Sequence, residues 1–470
     1  MKRIINISLG AILLFTSCSN FFDVNTDPNN PSSVPYPMVF PAATASSAAV
    51  IGGQYAILGS IWSQHFTQNN SANQYKTWDS YKLTSSDFNS SFDELYSGAI
   101  NDYIFVQSES EVAEDWNTYL MATAMKCYTY QVLADLYDQI PFSEVGQGTT
   151  GNVTPKYESG STVYDGLIAE LDNALAKDFS AVTNTNIGDK DFIFKGDKNK
   201  WIQFVNTLKL KIYLRQIKAR PEVSSAGIAA LYNQGANFLT VDGSMNKYQD
   251  EADKQNPLYA SEVSSTGLGN KNLRASQTLF NYLSDNRDMR YTAIYIPEGS
   301  NPYLAHPQGD YLNSANKDKL SKGRFSAIQP VYFFTLAEIH FMKAEALTRY
   351  PALGGNAETE YNAGVNASFN LLNIDGAGEL LAGAYKFPAD ANARIEAIIT
   401  QKWVACAKFN PIESFFEFNR TGYPTFFTVS PNSAIGGKFP QRLLFAADEV
   451  ARNPNTPAQV AIDVPVWWAK

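Results

Sequence analysis

Residues 161–175 of this chain, STVYDGLIAELDNAL, carry the clearest helical pattern in the sequence. The apolar side chains recur three, four, seven, ten and eleven positions after the first of them, which places them all on one face of a helix. Ser161 or Thr162 is a suitable N-cap, because its hydroxyl can accept a hydrogen bond from a free backbone N–H of the first turn. We therefore predict an amphipathic helix whose buried face consists of Tyr164, Leu167, Ile168, Leu171, Ala174 and Leu175.

This helix follows a more apolar helical stretch, and the same order occurs again further along the chain. Tyr119–Tyr137 precedes Val163–Lys177, and Val331–Tyr350 precedes Glu358–Asn373. The letters YNAG at 361–364 match the spacing found in tetratricopeptide helical hairpins. We predict a mainly α fold built from tetratricopeptide-like helical hairpins. An irregular helix bundle is the alternative that periodicity alone leaves open.

Strands and helices do not alternate in the remaining sequence. Because a parallel sheet requires that alternation, we expect long loops and only a few short strands. Residues 236–330 are polar, aromatic and rich in Gly, Asn and Ser, so we predict a loop-rich insertion there; such regions are usually either functional or a set of packed excursions. The chain after residue 419, with its Pro and Gly residues, is predicted to be an extended tail. Further predicted helices begin near Pro41 and cover Asp93–Val106, Trp201–Ile212, Ala389–Phe409 and Ile412–Asn419.

The first residues have the pattern of an export signal. Basic residues at 2–3 precede a short apolar run that ends in FTSC at 15–18. The run is shorter than the roughly 20 apolar residues of a membrane-spanning helix, and small residues before a cysteine are typical of a bacterial lipoprotein cleavage site. A plain signal peptide with an unmodified cysteine is the alternative. The predicted divisions are a signal peptide at 1–17, a lipidated tether at 18–40 that begins with Cys18, and one helical-repeat domain at 41–470.

The composition excludes several classes of function. The 470 residues include 46 acidic and 37 basic side chains, giving a formal charge of −9, and they lack the basic stripe that nucleic-acid binding requires. Three cysteines and three histidines without CxxC or HxxxH spacing exclude a disulfide framework and a sequence-local zinc site. No nucleophile-elbow, P-loop or dinucleotide-binding motif stands in a suitable strand–helix context. We expect a binding protein that is not an enzyme and has no cofactor; the sequence predicts no metal site and leaves open whether a structural metal ion is bound.

Four chemically distinctive side chains are predicted to be structural. Arg215 is expected to pair with a carboxylate or a helix end. Cys127 and Cys406 lie among apolar helical positions, which favours core packing over reactivity. His340 has no second histidine at helical spacing and is expected to be a packing residue.

The strongest signal for ligand binding lies at residues 62–81, where Trp and Tyr are interleaved with Asn and Gln. Sugars present C–H faces that stack on aromatic rings and hydroxyls that hydrogen-bond to amides, so this mixture suits a glycan site. The alternative is that Trp62 and Phe66 belong to the core while Trp78 and Tyr81 cover it. A second candidate cluster consists of Tyr291, Tyr295, Tyr303 and His306. The candidate ligand-binding residues are Trp62, Gln64, His65, Asn69, Tyr75, Trp78 and Tyr81.

Six motifs occur in a fixed order along the chain. They are Cys18 followed by NTDPNNP, LADLYDQIPFSEV, FKGDKNKWIQFVNTLKLKIYLR, FTLAEIHFMKAEAL, ITQKWVACAKFNPIESFFEFNRTGYP and PQRLLFAADEVARN. Together they resemble the SusD/RagB family of Bacteroidetes outer-membrane lipoproteins, close to its NTDPNNP-bearing branch. The resemblance spans nearly the whole chain after Cys18.

The resemblance implies a mostly helical fold with four tetratricopeptide-like hairpins and loops on one side. It also implies a lipoprotein exposed at the outer membrane, which works with a SusC-like TonB-dependent transporter and captures an oligosaccharide, or in some members a peptide, for import. Aromatic side chains of loops form the family's glycan sites at varying positions, so the resemblance assigns no ligand residue. A helical-repeat scaffold that binds another protein and no nutrient is the alternative of a different class.

Overall fold

A computed structural model describes residues 34–470, and helices form most of its regular structure. The predictions that fall on residues 1–33, namely the signal peptide, Cys18 and most of the tether, lie outside the described residues. The helices are α1 (Tyr36–Ile51), α2 (Gln54–Trp62), α3 (Lys76–Asp79), α4 (Asn89–Glu94), α5 (Asn101–Val112), α6 (Trp116–Tyr137), α7 (Gly160–Leu175), α8 (Lys198–Arg215), α9 (Pro221–Asn233), α10 (Gln277–Asp285), α11 (Arg290–Ile294), α12 (Leu336–Arg349), α13 (Ala357–Leu372), α14 (Ala377–Ala382), α15 (Ala391–Cys406), α16 (Pro411–Thr421) and α17 (Ala447–Arg452).

The predicted helix pairs are present and define the fold. Helix α6 packs against α7, and α12 packs against α13. Helix α7 begins earlier than predicted, because the hydroxyl of Ser159, rather than that of Ser161 or Thr162, accepts a hydrogen bond from the first turn, at 3.2 Å from Thr162 N. The mainly α fold class with tetratricopeptide-like hairpins is confirmed.

Helix α1 begins at Tyr36, so the last five residues of the predicted tether at 18–40 are helical. The sequence predicts a later start, near Pro41. Pro37, however, lies in the first turn, where a backbone N–H has no partner within the helix and its loss costs little. The helix therefore begins within the proline-rich segment rather than after it.

Short antiparallel strands fasten the loop-rich region to the rest of the chain. Residues 236–330 contain helices α10 and α11 as well as loops. The strands are β1 (Phe66–Gln68), β2 (Gln139–Pro141), β3 (Tyr157–Ser159), β4 (Gly243–Met245), β5 (Leu273–Ala275), β6 (Tyr295–Ile296), β7 (Lys322–Gly323) and β8 (Val331–Phe334). One four-stranded sheet has the order β1-β5-β7-β6, with Phe66 of β1 opposite Ala275 of β5. Two further strand pairs are β2 with β3 and β4 with β8.

Buried ion pairs join helices α6, α8, α15 and α16. Arg215 Nε donates to Asp135 Oδ2 at 3.0 Å. The terminal nitrogens of the same guanidinium lie 2.8 Å from Glu417 Oε1 and 2.5 Å from Glu413 Oε1. Lys402 lies within 3.3 Å of both glutamates. The predicted pairing of Arg215 with carboxylates is confirmed, and it involves three of them.

The other side chains predicted to be structural are also packed. Cys127 and Cys406 are free and fully buried, and burial raises the pKa of both thiols, which disfavours the reactive thiolate. His340 Nδ1 lies 2.6 Å from Glu360 Oε2, on the partly buried contact between α12 and α13. These three positions therefore serve the helix packing.

Candidate ligand-binding cleft

The structure buries all seven side chains that the sequence nominated as ligand contacts. The most exposed of them, Trp78, has 8% of its surface accessible. A ring enclosed by protein offers no face on which a sugar can stack, so the prediction of an exposed aromatic platform at residues 62–81 is corrected. The alternative, in which these rings belong to the core, describes the structure. The seven are Trp62, Gln64, His65, Asn69, Tyr75, Trp78 and Tyr81.

The tryptophans of this segment are held by contacts that use both their rings and their N–H groups. The ring of Trp78 lies 5.1 Å from that of Tyr75 and 4.7 Å from that of Phe88, measured between centroids. Its Nε1 donates to Asp87 Oδ1 at 3.1 Å. Trp62 Nε1 donates to the carbonyl of Trp78 at 3.0 Å. Buried aromatic residues with satisfied N–H groups are typical of a core.

His65 is a structural residue that supports the aromatic cluster around Trp403. Its Nε2 donates to the carbonyl oxygen of Trp403 at 3.0 Å, and the two rings stack with centroids 5.6 Å apart. Burial lowers the pKa of His65 to about 3, so the imidazole is neutral at physiological pH.

Gln64 connects two segments that are far apart in the sequence. Its Nε2 donates to the carbonyl of Thr428 at 2.7 Å. Its Oε1 accepts hydrogen bonds from Thr278 Oγ1 at 2.6 Å and from the backbone N–H of Thr428 at 3.1 Å. One buried amide thus fixes the distance between helix α10 and the chain at 426–431.

The space between these two segments is a cleft of about 540 Å³. Helix α10 forms one wall, residues 426–431 form the other, and residues 307–310 close one side. The size lies within the range of small-molecule sites. The cleft is lined by Gln277, Thr278, Asn281, Tyr282, Asp285, Asn286, Pro307, Gln308, Asp310, Phe426, Thr428, Val429 and Pro431.

Two stacked aromatic rings give this cleft a face suited to sugars. Tyr282 and Phe426 have centroids 5.3 Å apart and an interplanar angle of 15°, and 40% of the Phe426 surface is exposed. Trp403 supports both rings from the core. Its ring centroid lies 5.7 Å from that of Tyr282 and 5.5 Å from that of Phe426. Tyr385 stacks on Tyr282 at 6.0 Å. The rings are therefore fixed in orientation while Phe426 remains accessible.

Polar side chains stand next to this aromatic wall. Gln277, Asn281 and Asp285 of α10 line the cleft and are exposed. Amide and carboxylate groups hydrogen-bond to hydroxyls, so the cleft combines a stacking surface with hydrogen-bonding groups. This is the combination that the sequence suggested for residues 62–81, placed instead on α10 and on the chain after α16.

The second candidate cluster of the sequence does not line this cleft. Tyr295 and His306 are buried; Tyr295 Oη donates to the carbonyl of His65 at 2.6 Å, and His306 Nε2 to that of Asp310 at 2.8 Å. Tyr291 and Tyr303 are half-buried, with their rings packed edge to face at 5.0 Å. The cluster therefore packs behind the cleft rather than forming its surface.

A larger cleft, of about 690 Å³, lies between α15 and the end of α16. Its lining includes Lys218, Arg349 and a single aromatic residue, Tyr423. It has no stacked ring pair, which makes it less suited to a sugar.

Residues 34–470 bring together no group of His, Cys, Asp or Glu side chains suited to a metal ion. None of the helices in this part of the chain has the length and apolar character needed to cross a bilayer.

Comparison with known proteins identifies relatives by sequence and by fold. The family model SusD-like_2, described as "Starch-binding associating with outer membrane", matches residues 32–446. A SusD-like protein from Bacteroides thetaiotaomicron VPI-5482 has 24% identity and a TM-score of 0.78, covering 92% of this chain and 98% of its own. A SusD homolog from Bacteroides uniformis ATCC 8492 has 21% identity and a TM-score of 0.77, and the match covers 92% of this chain and 99% of that homolog. Among curated proteins, no sequence matches this chain.

A third relative has a ligand class in its description. It is a chitin-binding SusD homolog from Flavobacterium johnsoniae, with 21% identity, a TM-score of 0.78, and 92% of this chain and 98% of its own covered. At such identities the structural likeness shows the fold alone, whereas the family model covers most of the sequence. The chain therefore belongs to the SusD-like (SusD/RagB) family, a family described as starch-binding and associated with the outer membrane.

Proposed function

We propose that this protein captures an oligosaccharide in the cleft between helix α10 and residues 426–431. The single observation that carries the proposal is the accessible, rigidly supported ring of Phe426 stacked with Tyr282 beside exposed amides. The C–H face of a sugar ring stacks on an aromatic face, while its hydroxyls reach the neighbouring amides. The family description, which names starch binding, supports a glycan as the ligand class.

The residues that line the cleft suit the binding of a ligand without its chemical conversion. Binding by a stacking face and exposed hydrogen-bonding groups gives dissociation constants on the order of 10 μM to 1 mM, or roughly −4 to −7 kcal/mol. Weak binding suits a protein that passes its ligand on. We propose a SusC-like TonB-dependent transporter as the receiving partner, on the strength of the family resemblance, and no catalytic step.

Phe426→Ala should weaken oligosaccharide binding by about 5- to 150-fold, corresponding to the ~1–3 kcal/mol that ring stacking contributes. Calorimetric titration with a glycan first identified on an array measures the effect. Phe105→Ala is the matched control, because Phe105 is 38% exposed on α5 and does not line the cleft. An unchanged affinity in Phe426→Ala, or an equal loss in both variants, would contradict the proposed site.

We also propose that Cys18 is lipidated and anchors the protein in the outer membrane, with the binding domain at the cell surface. Two or more acyl chains give stable anchoring, whereas one gives only marginal binding. Cys18→Ala should therefore remove the protein from the outer-membrane fraction. Cys127→Ala is the control, since it removes a buried thiol far from the N-terminus and should leave fractionation unchanged. Retention of Cys18→Ala at the wild-type level would refute the anchor.

A further inference from the structure

The charged side chains that line the cleft are all acidic. They are Asp285 on α10 and Asp310 on the loop that closes one side, and the lining residues include no lysine, arginine or histidine. The basic residues closest to α10 in the sequence are Arg287 and Arg274, and neither of them lines the cleft, nor does Arg290. Arg290 is fully buried and paired with Asp288 at 2.6 Å. Two carboxylates therefore face the ligand space without a basic side chain beside them in its lining.

The side of the cleft formed by residues 307–310 includes a buried amide, that of Gln308. Gln308 is almost fully buried, and its Nε2 donates to Asp79 Oδ1 at 2.7 Å and to the carbonyl of Ile61 at 3.0 Å. The carbonyl of Ile61 is a pure acceptor, so the amide orientation is determined and Oε1 points away from it. Within residues 34–470 this buried Oε1 has no hydrogen-bond partner. Gln308 is itself one of the residues that line the cleft.

Asp310 is held in place while it keeps acceptor capacity. Its Oδ2 accepts one hydrogen bond from Asn313 Nδ2, at 2.9 Å. A carboxylate has about four acceptor positions, so most of them remain available to a ligand. Asp285 is exposed at the end of α10. A ligand that brings hydrogen-bond donors with positive charge matches this arrangement better than one that brings acceptors with negative charge.

We infer that the cleft selects oligosaccharides that carry protonated amines and discriminates against those that carry carboxylates or sulfates. The inference rests on the proposed function, since it assumes that the glycan occupies this cleft. An ammonium group has three donors and a positive charge for the two aspartates, whereas a uronic acid places like charges together in the cleft.

The probes are three oligosaccharides of equal length: an oligoglucosamine, its fully N-acetylated counterpart and an oligogalacturonate. The titrations are run at about pH 6, where a primary amine is protonated. At low salt we expect the oligoglucosamine to bind about 2- to 20-fold more tightly than its N-acetylated counterpart, from ion pairs with the exposed Asp285 and the half-buried Asp310. The oligogalacturonate should bind most weakly. The preference should shrink as salt is added, because exposed charges are screened.

The decisive readout is the ratio of the affinity for the oligoglucosamine to the affinity for its N-acetylated counterpart. This ratio is measured in the double variant Asp285→Asn/Asp310→Asn, which keeps the side-chain shape and removes both charges. The ratio should fall to about 1 in this variant, as expected for a coupling removed in a mutant cycle. In Asp189→Asn the ratio should keep its wild-type value, because Asp189 is exposed and lies outside the cleft.

A ratio of 1 or less in the wild type, or a ratio that persists in the double variant, would overturn the inference. If neutral oligosaccharides bind and the oligoglucosamine does not, the charge selection is wrong and the proposed function stands. If no oligosaccharide on an array binds, both fail together.

Discussion

Arg215→Met is expected to lower the free energy of unfolding by about 3–5 kcal/mol, the cost of breaking a buried ion-pair network by removing one partner. The substitution keeps much of the side-chain volume but leaves Asp135, Glu413 and Glu417 buried without their shared guanidinium. Burial opposes the ionisation of Glu417, yet Arg420, Lys402 and Arg215 together hold the pKa of its carboxyl well below the usual range. Urea unfolding of both proteins at neutral pH, followed by circular dichroism, measures the loss.

The control for this prediction is the same substitution at an exposed arginine. Arg452 lies 3.6 Å from Asp448 on α17 and is 79% exposed, so Arg452→Met should change stability by no more than about 0.5 kcal/mol. If Arg215→Met costs less than about 1 kcal/mol, the network does not hold the four helices together as described.

Trp78→Ala is expected to cost about 3–5 kcal/mol of stability, the range for removing a large aromatic side chain from a core. The ring is enclosed between Tyr75 and Phe88, and its N–H is bonded to Asp87. Oligosaccharide affinity should be unchanged in the folded variant, because Trp78 does not line the cleft. Thermal melts and calorimetric titration of the same protein measure both quantities.

Trp78→Phe provides the comparison, since it keeps an aromatic ring in the pocket and should recover much of the lost stability. The opposite pattern, in which Trp78→Ala loses affinity and little stability, would restore residues 62–81 as the ligand site. It would also remove the reason for assigning binding to Phe426.

Periodicity identified the helices because their apolar faces are set by local spacing. Residues 161–175 form helix α7 almost as predicted, and the predicted helix at 412–419 lies within α16. Pairing of Arg215 with carboxylates also followed from its residue type, since a charged side chain on an apolar helix needs a partner when buried. The identity of those partners did not, because Asp135 and Glu417 come from distant parts of the chain.

The site depends on contacts between distant segments, which a local pattern does not reveal. Residues 62–81 have the composition of a glycan loop, but later segments of the chain cover them. For example, the ring centroids of Phe415 and Trp62 lie 5.0 Å apart. Phe426 lies in the chain after α16, which the sequence had marked only as an extended tail. The available signal was the pair Phe426-Phe427 in a segment without helical or strand periodicity, where an apolar pair lacks an obvious buried face.

The most direct test of glycan capture in this cleft is a crystal structure of the protein with an oligosaccharide selected on an array. We predict a sugar ring with its C–H face against Phe426, at about 4 Å between heavy atoms, and with hydroxyls or amines directed toward Asn281 and Asp285. Sugar density at another surface, such as the cleft beside Tyr423, with Phe426 left uncovered, would contradict the account.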